Sequence, residues 1–364
     1  MANAQSVRAA VFSGPGEVVV EELELESPRR GEVLVRLGAS GVCHSDLHVV
    51  DGDWPRPAPV VMGHEGAGVV EAVGEDVRDV AVGDTVILSW FYSCRRCESC
   101  MAGRAWMCTG TRAGESVMED GTTRFRRADG QGVFTYVGVG SMAERTVVPE
   151  SGAIRVPAEV PAEVAALIGC AVTTGAGAVL NTAQVPPGAS VVVIGAGGVG
   201  LSAIMGAALA GAEPIVAVER AEAKHALAFE VGATHAVTSA EEARELVGGG
   251  ADFAFEAIGL VETIEALPGL LRPGGTAVLI GMPPYGVRAS FDVYPFIDTG
   301  KALVGSIYGG SVPAVEFPRL AALYLAGKLP VDKLVSHRIA LDDLDEAFEA
   351  MRRAERARSV IVFD

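Results

Sequence analysis

Basic residues are few in this sequence, and its N-terminus has no apolar stretch of the length found in signal peptides. The 29 lysine and arginine residues stand against 46 aspartate and glutamate residues, so the net charge at pH 7 is −17. Proteins that bind nucleic acid through phosphates need the opposite balance, and we therefore expect no nucleic-acid partner. The opening residues, MANAQSVRAAVFSGPG, predict a protein that stays in the cytoplasm.

Low-complexity tracts and solenoid-type repeats are also lacking, and long uncharged runs are rare. Residues 189–212 carry no charge and are long enough to cross a bilayer. The run opens with β-branched residues, breaks at a glycine cluster and resumes with small residues at helical spacing. This pattern favours a buried strand, turn and helix, so we expect no membrane partner.

Six cysteines are present in the 364 residues, and four of them are clustered. Their C-x2-C-x2-C-x7-C spacing is unsuited to disulfides in a reducing compartment, and four thiolates can close a tetrahedral shell around zinc. A closed shell predicts a structural site. A nucleic-acid-binding zinc ribbon is the alternative, but it needs two separated C-x2-C pairs and a less acidic chain. The proposed ligands are Cys94, Cys97, Cys100 and Cys108.

The two other cysteines lie far apart, in motifs that also contain histidine and acidic residues. Cys43 lies in GVCHSDLH, His64 follows in GHEGAG, and Cys170 precedes a TTG sequence. Two thiolates and one imidazole give zinc three ligands and leave the fourth position for water or substrate. Such a metal can hold an alkoxide or polarise a carbonyl.

The hydrophobic pattern changes near residue 172, which predicts two domains. Short alternating strands separated by Gly, Pro and Asp turns precede it. After it, six apolar strands alternate with helical stretches, which predicts the α/β class with a doubly wound parallel sheet.

A glycine-rich turn opens this second half. Gly195, Gly197 and Gly200 form G-x-G-x-x-G between a strand and a helix, the pattern that admits a dinucleotide pyrophosphate at a helix N-terminus. Glu219 ends the next strand, where a carboxylate binds the ribose hydroxyls and repels a 2′-phosphate. NAD is therefore favoured over NADP. Arg220 can either hold that phosphate or stack over the adenine.

Together these motifs resemble the zinc-dependent medium-chain alcohol dehydrogenases over nearly the whole chain. They occur in the family's order: GVCHSDLH, GHEGAG, the four-cysteine lobe, MEDGTTRF, the cysteine before TTG, GAGGVG, FEAIG and RSVIVF. The segment after Cys108 is most similar to the branch with liver-type alcohol dehydrogenases and thiol-dependent formaldehyde dehydrogenases. The resemblance implies a mostly-β, GroES-like catalytic domain at residues 1–171 and 308–364, with a zinc lobe at 94–108. It implies an NAD-binding Rossmann domain with a six-stranded parallel sheet at 172–307, and a homodimer or homotetramer joined through the last strand of that sheet.

The resemblance also assigns roles to individual residues. Cys43, His64 and Cys170 would bind catalytic zinc, with Asp46 and Glu65 supporting it. Ser45 would take the alcohol proton and pass it through the cofactor ribose to His48, although His48 can instead cap a local turn. Residues matching cofactor contacts are His44, Thr174, Gly195, Gly197, Gly198, Val199, Gly200, Glu219, Arg220, Lys224 and Arg358.

The substrate is less closely defined by the sequence. Trp54 and Trp90 match the family's substrate channel, where they would restrict it to short primary alcohols or stack with aromatic ones; packing in the core is the alternative. Arg112 matches an arginine that receives a thiol adduct's carboxylate, which keeps a hydroxymethyl-thiol substrate open. A redox-neutral dismutase with trapped NAD and a one-way aldehyde or iminium reductase also remain alternatives on this fold.

Overall fold

The computed structural model describes residues 4–363, which divide into two compact units. The first unit contains the chain up to Cys170, Val312–Leu325 and the residues from Val335 onward. The second contains Ala171–Ser311 and Ala326–Leu334. Residue 171 and residues 308–311 and 326–334, which the resemblance groups with the catalytic domain, thus lie in the second unit. Within that unit, Lys333 pairs with Glu230 at 3.4 Å.

The N-terminal part is built of strands because apolar and polar side chains alternate along it. In Glu17–Leu25, for example, Leu23 and Leu25 are buried while Glu22 and Glu24 are not. The strands are β1 (Gln5–Gly14), β2 (Glu17–Leu25), β3 (Glu32–Gly41), β4 (Val60–Val61), β5 (Glu65–Val73), β6 (Thr85–Leu88), β7 (Phe125–Arg126), β8 (Gly132–Thr135), β9 (Arg145–Pro149) and β10 (Ala153–Arg155). Two short helices lie between them, α1 (His44–Val50) and α2 (Glu98–Met101). Strands β1, β2, β7, β8 and β4 close a small barrel.

A continuous helical segment, Ala162–Ala183, follows. It consists of α3 (Ala162–Leu167), a π-helical turn (Ile168–Val172), α4 (Thr173–Gly177) and a second π-helical segment (Ala178–Ala183). By length and composition alone it could cross a membrane, and 83% of its apolar window is buried inside the protein.

The second unit alternates strands and helices, as expected for an α/β fold. Its elements are β11 (Val191–Ile194), α5 (Gly198–Ala210), β12 (Ile215–Val218), α6 (His225–Glu230), β13 (His235–Val237), α7 (Ala240–Leu246), β14 (Ala251–Glu256), α8 (Val261–Leu270), β15 (Leu271–Leu279), α9 (Val293–Asp298) and β16 (Ala302–Gly305). The six strands pair in parallel in the order β13-β12-β11-β14-β15-β16. This confirms the six-stranded parallel sheet. The uncharged run 189–212 forms β11 and α5, as predicted.

The C-terminal part returns to the first unit. It contains α10 (Pro313–Leu325), β17 (Val335–Ile339), α11 (Leu344–Arg352) and β18 (Arg358–Val362). Strand β18 pairs antiparallel with β3, which completes the sheet β10-β6-β5-β3-β18-β17, with β9 also paired to β3. Residues from both ends of the chain therefore meet in one sheet.

Helix α1 is fixed by its apolar side. Leu47, Val49 and Val50 are buried in a cluster that also contains Trp54 and Phe348. Burying side chains of this size stabilises the fold by about 1.5–3 kcal/mol each. The polar residues of α1 are thereby held in place next to the site described below.

Candidate active site

Two of the expected metal ligands lie at the same end of the first unit's sheet. Cys43 lies two residues after the end of β3, and His64 directly precedes the first residue of β5. Because these strands are antiparallel, with Gly41 opposite Glu65, the two ligands come together. The fully buried carboxylate of Asp46 links them: its Oδ2 accepts the Cys43 N–H at 3.1 Å, and its Oδ1 lies 3.1 Å from His64 Nδ1.

Cys170 is brought to the same place by the π-helical turn Ile168–Val172. Helix α3, which leads into this turn, packs on β3 and β5. π-Helical turns are often found at functional sites because they redirect a side chain without ending the helix. Ligand atoms of Cys43, His64, Glu65 and Cys170 all lie within 4.8 Å of one another.

Glu65 is paired with Arg358, and both are buried. The two residues are 293 positions apart and meet because β5 and β18 both pair with β3. Gly41 lies between them, and a Cβ there would come within 2.0 Å of Glu65 Oε2, so only glycine leaves room for the carboxylate. The cofactor contact predicted for Arg358 stays a prediction; the interaction seen here is with Glu65.

The donor set fits a zinc ion. Nε2 of His64 is buried and has no hydrogen-bond partner within residues 4–363, while Nδ1 is held by Asp46. Burial lowers the pKa of His64, but the Asp46 carboxylate and Cys43 outweigh it and raise that pKa to about 10. The surroundings of His64 therefore favour a positive charge. Two thiolates and an imidazole would hold zinc there once the imidazole has lost its Nε2 proton.

The other four cysteines form a second cluster. Their sulfurs all lie within 4.8 Å of one another, and all six cysteines of the chain are free. Backbone N–H groups of Cys94 and Cys97 point to Cys108 Sγ and Cys94 Sγ at 3.3 Å. Hydrogen bonds from the backbone at Cys100 and Thr109 lower the pKa of Cys97 to about 6, which favours the thiolate that binds metal. Burial and hydrogen bonds with Cys97 and Cys108 raise the pKa of Cys100, so that thiol would lose its proton on binding metal. A four-thiolate shell fits structural zinc.

The glycine-rich turn of the second unit has the geometry of a dinucleotide site. Gly195 has φ +98°, in the region that favours glycine, and a Cβ on Gly200 would come within 1.8 Å of the Gly195 carbonyl oxygen. A Cβ on Gly197 would meet no atom within 4 Å, so the space beside it is open. These features match the turn, the helix packing and the pyrophosphate approach that the three glycines provide. Gly198 and Val199 begin α5, and α4 packs on α5 close to Val199, which places Thr174 nearby.

Glu219 and Arg220 line a cavity of about 300 Å³ beside this turn. Glu219 accepts backbone hydrogen bonds from Ala196 and Ala221, at 3.1 and 3.0 Å. The exposed guanidinium of Arg220 lies 3.6 Å from Glu262, a residue of the same cavity. Lys224 ends a short 3-10 helix that follows.

Helix α1 carries the candidate proton-relay residues. Ser45 and His48 are one helical turn apart and so lie on the same face. His48 Nδ1 is 2.8 Å from Asp53 Oδ2, and its ring stacks on Trp54. His44, the first residue of α1, is exposed.

The three residues expected to contact substrate lie in different surroundings. Trp90 is half-buried, and its ring lies edge-on to His64, with centroids 6.3 Å apart. Trp54 is 7% exposed and packs in the apolar cluster around α1, the alternative position foreseen for it. Arg112 pairs with Glu115, with Nη2 2.5 Å from the carboxylate. The backbone N–H of Arg112 donates to the carboxylate of Glu119.

Two residues near the site were not found by sequence reasoning. Asp53 binds His48, and Tyr136 lies edge-on to His64 at 5.6 Å while its hydroxyl donates to the Ser45 carbonyl at 3.1 Å. Asp53 could have been suspected as an acid in the short loop after α1. Nothing in the sequence around Tyr136 indicates its position.

Comparison with known proteins identifies the family. Residues 29–158 match the alcohol dehydrogenase GroES-like domain, and residues 198–326 match the zinc-binding dehydrogenase family. The chain is 37% identical over 373 residues to S-(hydroxymethyl)glutathione dehydrogenase of Paracoccus denitrificans, covering 98% of this chain and 99% of the relative.

Two solved structures are similar over almost their full length. The alcohol dehydrogenase zinc-binding domain protein from Burkholderia ambifaria has a TM-score of 0.94 and 38% identity, covering 100% of both chains. Benzyl alcohol dehydrogenase from Acinetobacter calcoaceticus has a TM-score of 0.90 and 33% identity, covering 99% of this chain and 100% of that one. The two candidate metal clusters and the dinucleotide turn agree with these similarities. The chain belongs to the NAD-dependent, zinc-containing medium-chain alcohol dehydrogenases, in the branch that includes the formaldehyde dehydrogenases.

Proposed function

We propose that this dehydrogenase acts on primary alcohols with an apolar, preferably aromatic, group, and on the corresponding aldehydes. The observation that carries the proposal is the Trp90 indole edge-on to the metal ligand His64, at an interplanar angle of 89°. Phe91 extends this aromatic surface, 5.4 Å from Trp90. Aromatic walls beside a reactive centre favour apolar substrate groups. Similarity to a protein named benzyl alcohol dehydrogenase supports the same substrate class.

The roles proposed for this chain's residues follow from their positions. When bound, zinc supplies a Lewis acid at Cys43, His64 and Cys170, and NAD supplies the hydride acceptor. Asp46 holds the His64 ring so that Nε2 points at the metal. Ser45 accepts the alcohol proton, and His48, on the same face of α1, passes it to water.

For the cofactor, we propose that the glycine turn at residues 195–200 holds the pyrophosphate and that Glu219 binds the adenosine ribose. The open space beside Gly197 and the cavity beside Glu219 support this assignment. His44, Thr174, Val199, Arg220, Lys224 and Arg358 complete the proposed cofactor contacts. The first unit is then the catalytic domain and the second the NAD-binding domain.

A second candidate substrate is an S-hydroxymethyl thiol adduct. The name of the relative from Paracoccus denitrificans favours it. Arg112 would have to receive the adduct's carboxylate, yet its guanidinium is already paired with Glu115, and Glu119 binds its backbone. The carboxylates of Glu115 and Glu119 would repel the carboxylate of the adduct, so we place this substrate second.

The two candidate substrates are distinguished by comparing their kcat/KM values. We expect kcat/KM for benzyl alcohol to exceed that for ethanol and for the adduct of formaldehyde with glutathione. Trp90→Ala should reduce the benzyl alcohol value by about two- to tenfold, since aromatic contacts of this kind stabilise by about 0.5–1.5 kcal/mol beyond their buried area. A preference for the adduct that Arg112→Ala abolishes would establish the second candidate instead.

We propose a homodimer or homotetramer in which a second copy of the chain covers the edge of the parallel sheet. Strand β16 lies at one edge of this sheet, and all four of its residues are exposed. Helix α9 next to it in sequence has no buried residue, and Tyr294 and Ile297 are 77% and 72% exposed. Unpaired edge strands with apolar surroundings are sites of pairing with another chain.

We also propose that the protein works in the cytoplasm. Six free cysteines, four of them in a metal-binding cluster, require a reducing compartment to stay reduced. The proposed partners are small alcohols and aldehydes, without nucleic acid or membrane.

A further inference from the structure

His48 has a carboxylate partner to which no role has yet been assigned. Its Nδ1 lies 2.8 Å from Asp53 Oδ2, with 22% of the His48 side chain and 37% of the Asp53 side chain exposed. Asp53 lies in the loop that follows α1, five residues after His48 in the sequence. A carboxylate that accepts from one imidazole nitrogen fixes the proton on that nitrogen.

Trp54 holds the same ring from a second direction. The His48 and Trp54 rings are stacked, with centroids 4.6 Å apart and an angle of 24° between their planes. The Trp54 backbone N–H donates to the His48 carbonyl at 3.1 Å, and the indole is 7% exposed in the core around α1. The orientation of His48 is therefore set by Asp53 in the ring plane and by Trp54 against the ring face.

We propose that Asp53 is the positioning residue of the proton relay, with Trp54 as the clamp that holds the His48 ring. This inference rests on the proposed function. Asp53 accepts from Nδ1–H, so Nε2 carries the lone pair and is the atom that receives the alcohol's proton. The resulting imidazolium is stabilised by the Asp53 carboxylate, and the Nε2 proton then leaves to water while Nδ1 keeps its own. The carboxylate is unchanged at the end, and the step involves proton transfer only.

The stacking on His48 gives Trp54 a role besides the one its sequence motif suggests. A tryptophan that lined the substrate channel would affect which alcohols are accepted. A tryptophan stacked on His48 affects how fast the proton leaves, whatever the alcohol. Substitutions of Asp53 and Trp54 should therefore lower kcat for all alcohols by similar factors.

A neighbouring aspartate provides a matched control. Asp51 lies in the same loop, two residues before Asp53, and is paired with Arg352 of α11 rather than with His48. Asp51→Asn removes a loop carboxylate and its ion pair without touching the relay. A decrease in kcat that both aspartate variants share reports on the stability of the loop. The additional decrease in Asp53→Asn reports on His48.

The first test is kinetic. Asp53→Asn should lower kcat for benzyl alcohol by about tenfold or more, as expected when a residue that orients a reacting group is neutralised, with zinc content and NAD affinity retained. Asp53→Glu should recover part of the rate, and Asp51→Asn should stay within about twofold of the parent, as surface changes usually do. In the His48→Gln background, Asp53→Asn should cause no further loss, because the two residues act as one unit. Equal effects of the Asp51 and Asp53 variants, or additive losses with His48→Gln, would overturn the proposal.

The second test does not depend on turnover. Two-bond ¹⁵N–¹H spectra of histidine-labelled protein, with His48→Gln to assign the signal, should show His48 protonated at Nδ1 in the parent and in Asp51→Asn. Asp53→Asn should shift the proton towards Nε2. A parent spectrum with His48 protonated at Nε2 would overturn the inference even if alcohols are oxidised. The Nδ1 form in a protein that oxidises no alcohol would instead count against the proposed function alone.

Discussion

Oδ1 of Asp46 lies 3.1 Å from Nδ1 of His64, and both side chains are buried, with exposures of 0% and 3%. The opposite ring nitrogen is thereby left for the metal. Asp46 also accepts a hydrogen bond from the Cys43 backbone, so one carboxylate contacts two of the three proposed ligands of the catalytic zinc.

Asp46→Asn should weaken the catalytic zinc without affecting the lobe zinc. Loss of a partner that orients a metal-bound histidine typically costs about 10–100-fold in metal affinity. Titration with a chelator should therefore release one zinc at a much lower chelator concentration than in the parent, while the other remains. Release of both ions together would show that Asp46 does not act on the catalytic site alone.

Removal of one cysteine from each cluster should separate stability from turnover. Cys97→Ala opens the four-thiolate shell and should lower the melting temperature and the zinc content by one ion. Cys43→Ala should leave a folded protein that keeps the lobe zinc and has lost alcohol oxidation. Thermal unfolding, zinc analysis and activity on the same samples give the comparison, and equal unfolding in both variants would contradict the assignment of roles.

Cofactor preference should depend on Glu219. In the proposed assignment, the carboxylate would repel a 2′-phosphate, and Arg220 lies near Glu262 of the same cavity. Glu219→Gln should raise kcat/KM for NADP by about fivefold or more, since a like-charge repulsion at short range costs about 1 kcal/mol or more. Glu219→Gln combined with Arg220→Gln should lose that gain. A parent enzyme that uses NADP as well as NAD would contradict the role given to Glu219.

Assembly should be sensitive to charge at the exposed face next to the edge strand. Ile297→Glu places a carboxylate on α9 and should shift the protein to monomers in light scattering after size exclusion. Val315→Glu is the control, because Val315 is 65% exposed on α10, in the other unit. An unchanged mass for Ile297→Glu would place the interface elsewhere.

Features encoded locally could be read from the sequence. The spacing of Cys94, Cys97, Cys100 and Cys108 and the glycines of the 195–200 turn each lie within a few residues, and the structure brings each set together as expected. The catalytic cluster was reached because the motifs around Cys43, His64 and Cys170 resemble those of a known family.

Contacts that depend on side-chain direction could not be read in this way. Glu65 meets Arg358 across 293 positions because β5 and β18 lie on either side of β3, and nothing local in either motif indicates the pair. Arg112 has three acidic residues close in sequence, so the partner it chooses depends on the turn around Glu115. The motif around Trp54 matches a substrate-channel position of the family, and nothing local in it indicates the stacking on His48 or the burial in the cluster around α1.

The most direct test of the proposed alcohol dehydrogenase activity is NADH formation from benzyl alcohol by protein that holds two zinc ions per chain. We expect turnover that exceeds the rate with ethanol, needs NAD, and is lost in Cys43→Ala while one zinc remains bound. Two zinc ions without NADH formation from any primary alcohol would contradict the proposed function, and would favour a thiol adduct as substrate or a one-way reduction on the same fold.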